Sequence, residues 1–195
     1  ITREEMLEVV TGVYGGLVNK SIVAALQAKG INALGLTGAD LNCILSEKRP
    51  VKEIDYGWVG DVKQVAGSDL GSLIQKGIVP VMAPLTHDGK GHMLNTNADT
   101  IASELAKALV SEFEVTLVYC FEKEGVLQSI DDDSSVIKEL NYASYQQYIN
   151  KGVIEGGMIP KLDNAFAAIE AGVHKVIITK STSVGDLTRG THIQA

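Results

Sequence analysis

Apolar residues recur along this chain with two different periods, and the alternation between them sets the class of fold. Met6, Val9, Val10, Val13, Leu17 and Val18 repeat at helical spacing behind Thr2-Arg-Glu-Glu5, which has the form of a capping box. The pattern predicts a first helix running to about Lys29 and ending at Gly30. Gly12, Gly15 and Gly16 inside it each cost about 1 kcal/mol of helix propensity against alanine, which points to close approach by another backbone. Asn19 and Lys20 look either to solvent or inward to a ligand. Residues 31–36 read as a short buried strand, and 37–40 as a turn. Residues 43–45 and 51–54 are predicted to pair as a hairpin around Glu47-Lys-Arg-Pro50, and 58–65 alternates as a strand with one exposed face. A short helix over 68–76 stops at Gly77, and the apolar run 78–84 suits a strand covered on both faces. Residues 86–91 have turn chemistry.

Leu94 is the last apolar residue before Asn95, Asn97 and Asp99, three short polar side chains spaced two apart. Ile101, Leu105 and Leu109, with Ala102 and Ala106, then predict a helix, which Glu104 is placed to help. Residues 115–121 and 173–179 read as buried strands, and 142–151 and 164–171 as helices. Strand and helix alternate throughout, so the expected class is α/β with a mostly parallel sheet.

With 195 residues, 45 % of them hydrophobic, the chain can build one sizeable core or two lobes. A formal charge of −7, with no block concentrating the 17 Lys and Arg, argues against a nucleic-acid surface. No apolar run approaches membrane-spanning length, and no signal peptide is visible. Cys43 and Cys120 lack metal-ligand spacing and make no disulfide framework, which suits a cytoplasmic setting. The chain begins with Ile, so residues are expected to precede it.

A helix needs one capping side chain, and Asn95, Asn97 and Asp99 offer three; the surplus suggests a site. Gly156-Gly-Met-Ile-Pro-Lys161 places flexible backbone just before a helix start, where N–H groups favour an anion and Lys161 adds a mobile charge. Such a pairing suits phosphoryl transfer, whose transition state depends on positioning and charge neutralisation. No P-loop and no protein-kinase His-Arg-Asp motif is present, and Gly12-Val-Tyr-Gly-Gly16 is a poor dinucleotide fingerprint. The acidic run Asp131-Asp-Asp133 reads as a solvated loop rather than a metal site. His87 and His92 flank a glycine turn; the four histidines do not cluster, and no hydrolase triad is supported.

Taken in order, Thr11-Gly12, Asn19-Lys20, Gly35-Leu-Thr-Gly-Ala-Asp40, Val59-Gly60, Asn95-Thr-Asn-Ala-Asp99, Gly156-Gly-Met-Ile-Pro-Lys161 and Gly190-Thr191 resemble the N-acetylglutamate kinases of the amino-acid kinase family. The resemblance implies a three-layer αβα sandwich and a homodimer. It divides the chain into an acylglutamate-binding and dimerisation lobe, 1–110, and a nucleotide-binding lobe, 111–195. It further implies transfer of the ATP γ-phosphate to the side-chain carboxylate of an N-acylated glutamate in arginine synthesis, with Mg2+ carried mainly by the phosphates. By the same resemblance Asn95 and Asn97 bind the acceptor, Asp99 orients the catalytic lysines, and Lys161 stabilises the transferring group. Cys120, Phe121, Lys123, Gly125, Leu127, Val153, Ile154, Glu155 and Met158 would hold the nucleotide, with no protein metal ligand. An N-succinylglutamate or other small carboxylate as acceptor, and a non-catalytic acylglutamate or nucleotide sensor, stand as alternatives.

Three departures bear on these expectations. The glycine-rich loops and an arginine that grips the substrate are expected upstream of residue 1. The nucleotide strand ends Tyr119-Cys-Phe-Glu-Lys-Glu-Gly125, with Cys120 where an aspartate is usual and Lys123 available as compensating charge. Thr86 stands where a glycine is common near the acyl group.

Overall fold

The computed structural model describes residues 1–129 and 131–194. It divides into two compact units, Ile1–Glu112 and Phe113–Ala195.

The first unit opens with one continuous helical rod over Glu4–Gln27. It is α-helical over Glu4–Val10 (α1), widens into a π-helix over Thr11–Val18, and returns to α over Asn19–Gln27 (α2). The expected capping box does not form: Arg3 is the N-cap with no side-chain bond. Thr2 is instead buried, and its hydroxyl accepts from Asn95 Nδ2 at 3.0 Å. Nor do the glycines receive another backbone. A Cβ at Gly12 or Gly16 would meet nothing within 4 Å, and at Gly15 only the Leu85 and Thr37 side chains. All three glycines fall in the π-helical segment, where local widening has relaxed the helix. Neither α1 nor the π-helix buries a residue, and Met6, Val9, Val13, Leu17 and Val18 face outward, Leu17 at 69 % exposure. The rod is 24 residues long and holds an 18-residue window with a mean hydropathy of 1.4, which by length and composition alone would suffice to cross a membrane. The sequence reading anticipated no such stretch because Gly12, Gly15, Gly16, Asn19 and Lys20 break it into short apolar runs.

Asn19 and Lys20 attach this rod to the sheet. Asn19 is buried and donates from Nδ2 to the Val81 carbonyl at 2.8 Å, while Lys20 Nζ donates to Asn19 Oδ1 and to the Gly35 carbonyl at 2.9 Å. They staple the rod to the parallel pair β1 (Ala33–Leu36) and β4 (Val79–Met82), which is half-buried rather than covered on both faces.

The predicted hairpin between 43–45 and 51–54 is replaced by another. β2 (Ile44–Lys48) pairs antiparallel with β3 (Gly60–Val65), supported by Arg49–Asp61 and Lys63–Glu47 ion pairs, the former at 2.7 Å. Pro50 has no N–H to give a ladder, whereas 60–65 contains no proline and pairs along its length with one bulge opposite Leu45 and Ser46. The segment 86–91 is only partly a turn, since β5 (Leu85–His87) runs beside β2 and folds back as β6 (Met93–Asn95). Helices α3 (Gly67–Gln75) and α4 (Ala98–Leu109) pack with Leu36, Cys43, Ile44, Leu70 and Ile101 into the core of this unit.

In the second unit β7 (Thr116–Phe121) runs parallel to β9 (Lys175–Lys180), which is joined by antiparallel β10 (Thr191–Ile193) and then β8 (Glu139–Leu140). The two short strands β8 and β10 had no sequence signal of their own. Helix α5 (Tyr142–Asn150) carries an Asn141–Ser144 capping box, and α6 (Met158–Glu170) buries Leu162, Ala165, Phe166 and Ala168. The class is α/β, with parallel pairs interleaved with antiparallel hairpins.

The staple gives a paired prediction. A Cβ at Gly35 would run into Asn19 Oδ1 and lie 2.7 Å from Lys20 Nζ. Gly35→Ala should therefore cost about 2 kcal/mol in urea denaturation, whereas Gly12→Ala should be neutral or stabilising by up to about 1 kcal/mol.

Candidate active site

In the first unit, the polar run at 95–99 is the end of β6 and the start of α4. The structure separates the three side chains by task. Asn97 is the N-cap: its Oδ1 accepts from the Thr100 N–H at 3.0 Å, which occupies the amide oxygen and leaves the amide nitrogen outward. Asn95 is held from both sides, its N–H donating to the Trp58 carbonyl at 2.9 Å and its Nδ2 to Thr2. Asp99, half-buried in the first turn of α4, stands where the helix dipole favours a carboxylate. Between the two asparagines, Thr96 is buried and its hydroxyl bonds that of Thr86 at 2.8 Å. A Cβ on Gly60 would fall 2.6 Å from one hydroxyl and 2.8 Å from the other, so this pair requires a glycine across the sheet.

The neighbouring turn fixes both histidines as scaffold. His87 Nδ1 accepts from the Gly89 N–H, while His92 pairs with Asp88 at 2.7 Å and stacks on Trp58. Burial works to raise the Asp88 carboxyl, but the N–H groups of Lys90 and His92 and the His92 ring outweigh it and hold it down at about 2.

In the second unit, a cleft of about 320 Å³ opens at the carboxyl end of β7. Eight of the nine residues singled out for the nucleotide line it: Phe121, Lys123, Gly125, Leu127, Val153, Ile154, Glu155 and Met158. Cys120 does not; it is exposed elsewhere on β7, opposite Thr179. The cleft position suits a parallel strand pair, whose carboxyl ends leave N–H groups and loops for a ligand. Its floor depends on Gly125, where a Cβ would come within 2.8 Å of Thr191 Oγ1 and Val136. Thr191 Oγ1 accepts there from the Val126 N–H at 2.8 Å. Glu124 ties the surrounding loops together, accepting from Arg189 at 3.1 Å and Ser183 at 3.3 Å, with Lys180 at 3.9 Å. Lys123 is not a spare charge, because Asp133 accepts from it at 2.8 Å and stabilises its ammonium form. The acidic loop at 131–133 thus serves that lysine and a local turn, Asp132 accepting from Ser134.

Met158 begins α6 at the edge of this cleft, and Lys161 lies in the first turn, with Pro160 beside it where no helical N–H is required. Lys161 Nζ sits 4.9 Å from the centre of the buried Tyr119 ring on β7. Lys161 does not itself line the cleft; it stands one turn along the helix that Met158 opens at the cleft's edge, and a lysine held over an aromatic face there can neutralise charge on a phosphate group.

Residues 1–180 match the model of the amino acid kinase family. This chain belongs to that family. The acetylglutamate kinase of Bacteroides thetaiotaomicron is 66 % identical over 194 residues, covering 100 % of this chain and 75 % of its own length. That of Bacteroides fragilis is 67 % identical over 184 residues, covering 94 % of this chain and 70 % of its own length. Among solved structures, smu.665 from Streptococcus mutans superposes with a TM-score of 0.84 at 27 % identity, covering 100 % of this chain and 74 % of that one. The amino acid kinase fold therefore accounts for both units. Sequence reasoning missed Val126, Gln128 and Gly152 in the cleft, and the Glu124 hub. Their only signal was adjacency to residues it did find.

The two thiols differ in environment. Cys43 is buried against the Thr37 carbonyl, and burial together with the Asp40 charge pushes it up to about 11. A thiol reagent at pH 8 should modify Cys120 alone in the native chain and both cysteines after unfolding. Cys120→Ser should abolish native labelling.

Proposed function

We propose that this protein transfers the γ-phosphoryl group of ATP to the side-chain carboxylate of N-acetyl-L-glutamate, giving the acyl phosphate used in arginine biosynthesis. The observation that carries the reading is the gathering of eight sequence-selected residues into one cleft beside the Lys161 helix, in a chain 66 % identical to an acetylglutamate kinase.

The roles follow from the chemistry. The acceptor is already an anion, so no general base is needed; catalysis rests on placing two anionic groups together and neutralising the charge that builds up. Phe121, Leu127, Val153, Ile154 and Met158 give the cleft apolar walls for a base, and Gly125 lets its floor pack closely against Thr191. Lys161 meets the negative charge on the transferring group. Asn95 binds the acceptor's carboxylate through its amide, with Asn97 beside it, and Asp99 carries the charge against which lysine ammonium groups are oriented. Among the described residues no three His, Cys, Asp or Glu side chains are grouped to hold a metal ion. Mg2+ carried by the nucleotide phosphates would supply further charge neutralisation.

The outward apolar stripe of the Glu4–Gln27 rod supports a homodimer, because contiguous exposed apolar surface of this kind marks an interface. The two free thiols support a cytoplasmic enzyme.

Hydroxylamine trapping of the acyl phosphate, with N-acetylglutamate and N-succinylglutamate side by side, tests the reaction. Product with the acetyl substrate supports the assignment, product with the succinyl substrate alone shifts the acceptor, and binding without turnover makes the protein a sensor. Lys161→Ala should lower kcat at least a hundredfold while leaving ATP affinity within a few-fold; equal losses in both would reduce Lys161 to a binding residue. Leu17→Asp, which places charge in the outward stripe, should halve the mass measured by light scattering without unfolding the chain.

A further inference from the structure

Helix α6 presents Lys161 from its first turn, yet that turn has no side-chain cap. Gly157 is the N-cap, and a Cβ at Gly156 or Gly157 would meet nothing within 4 Å, so the approach to the helix is loosely packed and bonded only within its own turn by Met158 N–H to Glu155 and Ile159 N–H to Gly156. A lysine on such a terminus would share in its fraying unless another element held it. The holding group comes from α5. Tyr145 is fully buried, and its hydroxyl donates to Asp163 Oδ1 at 2.8 Å while reaching the Ile159 carbonyl at 3.3 Å. Ile159 and Asp163 stand two residues either side of Lys161. The Tyr145 ring also stacks on Phe166, one turn further along α6, with centroids 5.1 Å apart.

We propose that Tyr145 is a positioning residue for phosphoryl transfer: its hydroxyl pins the first turn of α6 and thereby fixes where Lys161 meets the transferring group. The inference rests on the reading of Lys161 given above. Tyr145 touches no substrate in this scheme. It acts by restricting the helix that carries the lysine, which stands over Tyr119 on the neighbouring strand. Packing of the ring and bonding of the hydroxyl are separable, because phenylalanine keeps the stack and loses only the donor. Burial and the neighbouring Asp163 carboxylate both raise the tyrosine above its ordinary value, so the hydroxyl stays a donor throughout the working pH range.

The test measures kcat and both KM values on folded full-length enzyme, with the thermal midpoint recorded alongside. Tyr145→Phe should lower kcat roughly tenfold with both KM values within twofold. Asp163→Asn, which keeps an oxygen for the tyrosine to donate to, should retain most of the wild-type kcat, whereas Asp163→Leu should reproduce the loss. Unchanged kcat in Tyr145→Phe, or a lowered midpoint with full turnover by the folded fraction, would overturn the proposal. So would an equal loss in Asp163→Asn and Asp163→Leu. Lys161→Ala is the separate control: if it turns over normally, the reading of Lys161 has failed, whatever Tyr145 does.

Discussion

The Thr2 side chain is buried, and its hydroxyl accepts from Asn95 while its backbone pairs with Tyr56 and Trp58 on either side of Gly57. Three segments far apart in sequence are thereby held at one point: the start of the long rod, the approach to β3, and the end of β6. A buried hydroxyl left without a partner costs about 1–3 kcal/mol, so the arrangement is specific as well as favourable. Gly57 enters for the same reason, since its φ of +73° and the closeness of the Thr2 carbonyl leave no room for a side chain. The second unit repeats the device with Tyr145, whose buried hydroxyl reaches α6 from α5. In both units a segment carrying candidate site residues has its position fixed by a polar side chain from another element.

Around these anchors the chemistry is divided. The first unit offers amides and a carboxylate on β6 and α4; the second offers an apolar strand-end cleft and a lysine on α6. A phosphoryl transfer to a carboxylate asks for little more from side chains than orientation and charge balance, and these groups are suited to both. The polar residues that looked most conspicuous in sequence have turned out to support this layout. Asn97 caps a helix, Lys123 pairs with Asp133, and His92 pairs with Asp88 and packs on Trp58.

The rod at the start of the chain shows how periodicity can be read correctly and still mislead about direction. Much of its apolar stripe points outward, and the hydrogen bonds that attach the rod run from Asn19 to Val81 and from Lys20 to Gly35. Helical spacing says which residues share a face and is silent about which face meets the sheet. The same limit explains the hairpin expected around Glu47–Pro50. Two short apolar runs were available to pair with β2, and the choice fell to the one able to complete a ladder and its cross-strand ion pairs.

The sequence by itself determined most of the helices and longer strands, the α/β alternation, the family, and most of one cleft. These depend on short-range patterns, on residues a few positions apart such as Val153, Ile154, Glu155 and Met158, and on motifs whose order survives along the chain. Tertiary structure alone decided that Thr2 is a hydrogen-bond acceptor rather than a cap, that Gly60 must be small for a Thr86–Thr96 pair, and that Tyr145 serves the helix of Lys161. Each of these joins residues from separate elements, and the free energy of a buried hydrogen bond depends on a partner that no local pattern can name.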